Sequence, residues 1–176
     1  MPFDLTHADL ADLALLAGPV LVAVMVVVLW RRARQRSARR WAVLDGSNIL
    51  YWQDGTPRLD PVREVLRVMT AAGYDCCVVF DANAGHLLFG RYGRDSDFSA
   101  RLGVARDRVM VVPRGEPADP FILTAARDAN AVVVTNDRYR DWSAQFPEIH
   151  RKNLLVKGGF DGGSLWLGLP DPAATA

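Results

Sequence analysis

Four short runs that are apolar at nearly every position, separated by stretches of a different periodicity, most restrict how this chain can fold. They are Trp41-Ala-Val-Leu44, Cys76-Cys-Val-Val-Phe80, Val109-Met-Val-Val112 and Ala131-Val-Val-Val-Thr135, with a shorter fifth run at Leu154-Leu-Val156. A strand with one wet face alternates apolar and polar residues, whereas a strand covered on both faces does not alternate. Between the first two runs, Val62, Val65, Leu66 and Met69 recur at i, i+3, i+4 and i+7, the spacing of one helical face. Asp60-Pro61 ahead of them has the residue types of an N-cap followed by N1, and Gly73 suits the helix stop. Asp119-Pro120 repeats the opening signal and predicts a helix to about Asp128. Buried strands alternating with helices imply a mainly parallel sheet with helices on both faces, a three-layer α/β/α domain. Residues 82–108, with glycines at 85, 90, 93 and 103, predict helical pieces joined by a mobile loop, and the chain after Val156 reads as a glycine-rich tail.

The amino-terminal segment follows another rule. From Leu13 to Trp30 no residue is charged, and 18 residues of helix cover about 27 Å of a hydrocarbon core roughly 30 Å thick. A buried core helix would carry polar positions at helical spacing, and this run has none, so residues 13–30 predict a transmembrane helix. Residues 1–12 hold Asp4, Asp9 and Asp12 and no Lys or Arg, unlike the basic start of a cleaved signal peptide. Arg31, Arg32, Arg34, Arg36, Arg39 and Arg40 follow the span, and such charge marks the cytoplasmic flank. The expected order is a short extracytoplasmic start (1–12), the span (13–30), a basic juxtamembrane linker (31–40), a cytoplasmic domain (41–168) and a flexible tail (169–176). The preference for Arg over Lys is that of a GC-rich bacterial genome, which makes the membrane the inner one.

Without its first 40 residues the chain keeps 15 basic and 17 acidic residues, a net charge near −2. The domain is therefore no strongly basic nucleic-acid binder, and affinity for a polyanion must come from local patches or bound metal. Cys76 and Cys77, the only cysteines, are adjacent in an apolar run, so they face opposite sides of a strand. They offer neither a zinc-ligand spacing nor a disulfide framework.

In open parallel sheets the functional crevice lies beyond the carboxyl ends of the strands. Asp45, Asp81 and Asp137 all fall there, Asp119 opens a helix, and Asp141 lies one turn past Asp137 if a helix starts at that point. Carboxylates gathered at one edge repel each other, and the usual relief is a hard divalent cation with oxygen ligands, Mg²⁺ or Mn²⁺. Asn48 can orient such a ligand or only close a turn, and Ser47 in that turn is a candidate substrate contact. Tyr51 and Trp52 suit either base stacking or the core, His86 either a leaving group or solvent, and Arg138 and Arg140 either substrate phosphates or the acids beside them. A phosphate-binding Gly-x-x-x-x-Gly-Lys-Ser/Thr loop is missing, so no nucleotide cofactor is expected, and there is no Gly-x-Ser-x-Gly nucleophile turn.

Val43-Leu-Asp-Gly-Ser-Asn48 and Val134-Thr-Asn-Asp-Arg-Tyr-Arg-Asp141, with Asp119 between them, resemble the paired signatures of the NYN branch of the PIN-like nuclease superfamily, especially its regnase-type ribonucleases. The resemblance spans Trp41 to about Val156. It implies a Rossmannoid, PIN-like fold, a Mg²⁺ site formed by Asp45, Asp119, Asp137 and Asp141 with Asn48 in support, and internal cleavage of single-stranded RNA to leave 5′-phosphate ends. The animal enzymes carry two adjacent aspartates before the central helix where this chain has Ala118-Asp119, and Asp81 is a candidate replacement. Their zinc finger is missing as well. The expectation is a membrane-anchored, metal-dependent endoribonuclease, and a homodimer is left open. Two alternatives stand beside it: a non-catalytic RNA-binding scaffold, and a metal-dependent hydrolase of DNA or small phosphate esters.

Overall fold

The computed structural model describes residues 21–22, 24–27 and 40–169. Most of the expected span, the linker up to Arg39 and the tail from Pro170 lie outside the described residues. The chain divides into two compact units, residues 1–39 and 40–176. In the first, residues 21–22 and 24–27 are helical, and their apolar side chains are at least half exposed. Among the described residues no helix is long and apolar enough to cross a membrane.

In the second unit the apolar runs become strands: β1 (Arg40–Asp45), β2 (Tyr74–Phe80), β3 (Val109–Val111), β4 (Val132–Val134) and β5 (Leu155–Val156). Arg40, expected to end the linker, is the first residue of β1. Its guanidinium donates to the Ala72 carbonyl and lies 4.5 Å from the Tyr74 ring centroid. The five strands form one sheet in the order β3-β2-β1-β4-β5, and every pairing is parallel. The helices are α1 (Gly46–Ile49), α2 (Asp60–Ala71), α3 (Ala84–Phe89), α4 (Asp95–Leu102) and α5 (Asp119–Ala129).

Side chains of successive strand residues enter opposite cores, as a pleat requires. Ala42, Leu44, Val78, Phe80 and Val134 pack with Val62, Val65, Leu66 and Met69 of α2 and with Phe98 of α4. Val43, Val79 and Val133 pack with Ile122, Leu123 and Ala126 of α5 on the other face. The continuous apolar runs thus reflect a sheet buried on both sides.

Two readings of the sequence need correction. Asp60 and Asp119 do not cap their helices. The caps are Leu59 and Ala118, each Asp is the first helical residue, and neither cap makes a side-chain bond. Pro is tolerated at the second helical position as at the first, because that N–H has no helical partner either. The expected tail also contains structure, an antiparallel hairpin of β6 (Gly158–Asp161) and β7 (Ser164–Leu167). Gly162 and Gly163 turn it with φ of +54° and +82°, the left-handed pair that a two-residue hairpin loop needs. Residues 82–108 contain the expected helical pieces, and His86, read as a loop residue, lies within α3.

Candidate active site

The chain crosses from one half of the sheet to the other between β3 and β4, so β1 and β4, neighbours in space, lead their loops apart. A crevice opens at such a switch point beyond the carboxyl ends of the two strands. Asp45 ends β1 and Asp137 follows β4, which places both acids there. A cleft of about 640 Å³ at this edge is lined by Asp45, Asp81, Asp119 and Asp137, and by Ser47, Asn48 and Tyr51.

Asp45 is 6% exposed and held on three sides. The backbone N–H of Asn48 donates to Oδ1 at 3.1 Å, while the hydroxyls of Thr135 and Tyr139 donate to Oδ2 at 2.9 and 3.0 Å. Burial nevertheless pushes its pKa up to about 6, against the lowering effect of those bonds and with a further push from Asp119. Asp119 is also raised, by burial first and then by the charges of Asp137, Asp81 and Asp141, while a 2.8 Å bond from Trp142 Nε1 opposes the rise. These carboxylates therefore feel one another across the cleft.

Asp137 is exposed, and its Oδ1 accepts the Tyr139 N–H at 2.7 Å in an Asx-type turn. Its own N–H donates to Thr135 Oγ1, and Lys157 donates to its carbonyl. The helix needed to carry Asp141 one turn beyond Asp137 does not form. Tyr139 takes φ +49° instead, and a 3-10 turn spans Arg140–Trp142. Asp141 therefore lies with Asn48, Asn136, Asp137, Arg138 and Arg140 around an adjoining shallow cleft.

Asn48 is a clamp whose Oδ1 accepts from Trp52 Nε1 at 2.8 Å and from the Asn136 N–H at 3.0 Å, joining the β1 and β4 loops. Ser47 Oγ accepts the Asp81 N–H at 2.8 Å, which ties the ends of β1 and β2. Tyr51 is 41% exposed on the rim, whereas Trp52 packs against the core. Arg138 and Arg140 are exposed beside the adjoining cleft, and among the described residues neither forms a salt bridge with the acids. His86 is exposed on α3 with Nε2 3.4 Å from Arg114 Nη2.

Thr135, Trp142 and Lys157 were not singled out from sequence. Tyr139 stands in the sequence only as one position of the second signature. Thr135 resembles the last apolar residue of a strand, and the contacts of Trp142 and Lys157 depend on loops that sequence does not place.

Residues 38–162 match the family model described as the Zc3h12a-like Ribonuclease NYN domain. The chain belongs to this family. It is accordingly one of the NYN/PIN-like nucleases, as the two signatures around Asp45 and Asp137 implied. Two solved structures of the nuclear protein-only RNase P 2 of Arabidopsis thaliana share the fold, with TM-scores of 0.60 and 0.56. Each is 18% identical, and the match covers 96% of this chain but 38% of the plant protein. At that identity the likeness shows the fold alone. No curated protein matches.

A divalent metal is the group such a fold implies. Among the described residues no three carboxylate, His or Cys side chains lie together closely enough to hold an ion. Asp45 instead accepts from Thr135 and Tyr139, Asp119 accepts from Trp142, and Asp137 closes its own turn. The donor set still fits a hard cation, because it is oxygen-only and because the raised Asp45 and Asp119 carry negative charge that a cation would relieve.

Proposed function

We propose that this chain is a divalent-metal-dependent endoribonuclease that cuts single-stranded RNA, held at the inner membrane by its amino-terminal segment with the domain in the cytoplasm. The observation that carries the nuclease reading is the meeting of Asp45 and Asp137 at the switch point of the sheet, with Asp119 and Asp81 facing the same cleft. Family membership supports the substrate class.

Asp45, Asp119, Asp137 and Asp141 would hold Mg²⁺ or Mn²⁺, and Asn48 would keep the two loops that carry them in register. A bound ion of this kind supplies an acidified water and the positive charge that phosphodiester hydrolysis needs. Arg138 and Arg140, exposed beside the acids, hold substrate phosphates, and Tyr51 on the rim stacks on a base. Asp81, which lines the cleft, would make up for the acid missing at position 118.

The test is cleavage of a fluorescent RNA in Mn²⁺, with DNA of the same sequence alongside. Internal cuts in RNA alone, 5′-phosphate ends and arrest by excess chelator are expected. Ends bearing 2′,3′-cyclic phosphate, or full activity in chelator, would overturn the mechanism. RNA bound but uncut would instead make the protein a scaffold, and equal cutting of DNA would make it a broader hydrolase.

A further inference from the structure

Asp45 receives three donors at defined atoms, and how they divide between its oxygens limits what the carboxylate can still do. An ionised carboxylate offers about four lone-pair positions, two on each oxygen. The hydroxyls of Thr135 and Tyr139 occupy both positions on Oδ2, at 2.9 and 3.0 Å. The Asn48 N–H takes one on Oδ1 at 3.1 Å, the longest of the three bonds, so one position remains, on Oδ1. Neither hydroxyl is free to turn away. Thr135 is fully buried and also accepts the Asp137 N–H at 3.0 Å. Tyr139 is 2% exposed, its ring packs in the core on the α5 side, and its N–H is held by Asp137 Oδ1 at 2.7 Å. Its φ of +49° is uncommon for a bulky residue and persists because its surroundings hold it at both ends.

We propose that Thr135 and Tyr139 are positioning residues that restrict Asp45 to one monodentate contact through Oδ1 and so set the size selectivity of the metal site. This rests on the metal-dependent reading above. Mg²⁺ and Mn²⁺ suit octahedral sites made of single carboxylate contacts, whereas Ca²⁺ takes six to eight oxygens and readily accepts a bidentate carboxylate. A carboxylate with Oδ2 filled favours the smaller ions. Freeing Oδ2 lets both oxygens reach an ion and relaxes the preference toward Ca²⁺.

The experiment is calorimetric titration of the full-length protein with Mn²⁺ and separately with Ca²⁺, for wild type, Tyr139→Phe, Thr135→Val and Thr135→Ser. Tyr139→Phe keeps the packed ring and removes only the hydroxyl, and circular dichroism checks that each variant is folded. Partners standing behind a ligand typically change metal affinity about 10–100-fold. Tyr139→Phe and Thr135→Val should therefore bind Mn²⁺ at least about tenfold more weakly, with Ca²⁺ binding weakened much less or strengthened. The ratio of the two dissociation constants should shift toward Ca²⁺ by about fivefold or more, and Thr135→Ser, which retains a hydroxyl, should restore the wild-type ratio. Equal weakening for both ions would make these residues merely structural and overturn the inference, as would an unchanged ratio. If Tyr139→Phe fails to fold, the two Thr135 variants carry the same comparison. A wild-type protein that binds no Mn²⁺ would sink the metal-dependent reading itself, a separate outcome.

Discussion

Burial works against the charge of Asp45, and this gives the metal-free domain a pH dependence of definite sign. Its folded pKa, about 6, lies above the unfolded value, so between these pH values the folded state binds the extra proton. Stability from this group is complete below the unfolded pKa, near 4, and falls as the pH rises through 6. The loss is on the order of 2–3 kcal/mol, at about 1.4 kcal/mol per pKa unit. Thermal melts of metal-free protein between pH 4 and 7 should show this decline relative to Asp45→Asn, which cannot ionise. Parallel curves for the two proteins would mean that the carboxyl is not desolvated. Asp137 needs two substitutions, because it serves the turn as well as the cleft. Asp137→Asn keeps the acceptor for the Tyr139 N–H and removes a charge that bears on Asp119, so metal-free melting should hold or rise slightly. Asp137→Ala also loses the acceptor and should be less stable by about 0.5–1.5 kcal/mol. Both should lower RNA cleavage by several orders of magnitude with RNA binding nearly intact. Wild-type cleavage by Asp137→Asn would remove Asp137 from the site.

At the scale of elements, the sharpest packing constraint lies directly behind Asp45. A Cβ on Gly46, the first residue of α1, would come 2.5 Å from the Phe80 ring, which stacks on Phe98 with centroids 4.2 Å apart. Phe80 is wholly buried, so neither ring can retreat. Gly46→Ala should cost about 1–3 kcal/mol in denaturant unfolding and, by displacing α1, weaken cleavage as well. Wild-type stability would show that the ring has room to move. The same elements show what was legible in the sequence. The five strands were, because a sheet covered on both faces leaves apolar runs that alternation does not interrupt. The positions of Asp45, Asp81 and Asp137 followed from the strand ends. Hydrogen bonds across the site were not legible, since Thr135 and Tyr139 lie 90 and 94 residues from Asp45. The hairpin was missed although Gly162-Gly163 marks its turn, because Gly158 and Gly159 made the segment read as a loop. The two Asp-Pro pairs mark their helices but one residue late, and the Trp142 bond to the Asp119 carboxylate, which depends on a loop 23 residues away, was not legible.

Over the whole molecule, charge and apolar surface differ between the domain and the amino-terminal segment, so the proposed role of each can be tested apart. With Arg40 in β1 the domain is near −1 and would attract RNA only locally, so Arg138 and Arg140 should account for much of the affinity. Arg138→Ala should weaken RNA binding and reduce its salt dependence by about one counterion, with surviving cleavage still giving 5′-phosphate ends. An unchanged salt slope would remove Arg138 from the phosphate path. The amino-terminal segment presents a different surface. Leu21, Val22, Val24, Met25, Val26 and Val27 are between 50% and 75% exposed on a helix, an apolar display that water penalises and a bilayer accepts. Residues 40–176 form a compact unit without it, with β1 beginning at Arg40. The full chain should therefore sediment with membranes and resist extraction by salt or alkali, while residues 40–176 stay in the supernatant, fold, and cut RNA at a similar rate. Protease added to intact spheroplasts should spare the domain and reach it only after lysis if, as proposed, the six arginines after the uncharged run lie on the cytoplasmic side. Digestion before lysis would reverse the orientation, and sedimentation of residues 40–176 with membranes would move the anchor from the apolar segment to the domain.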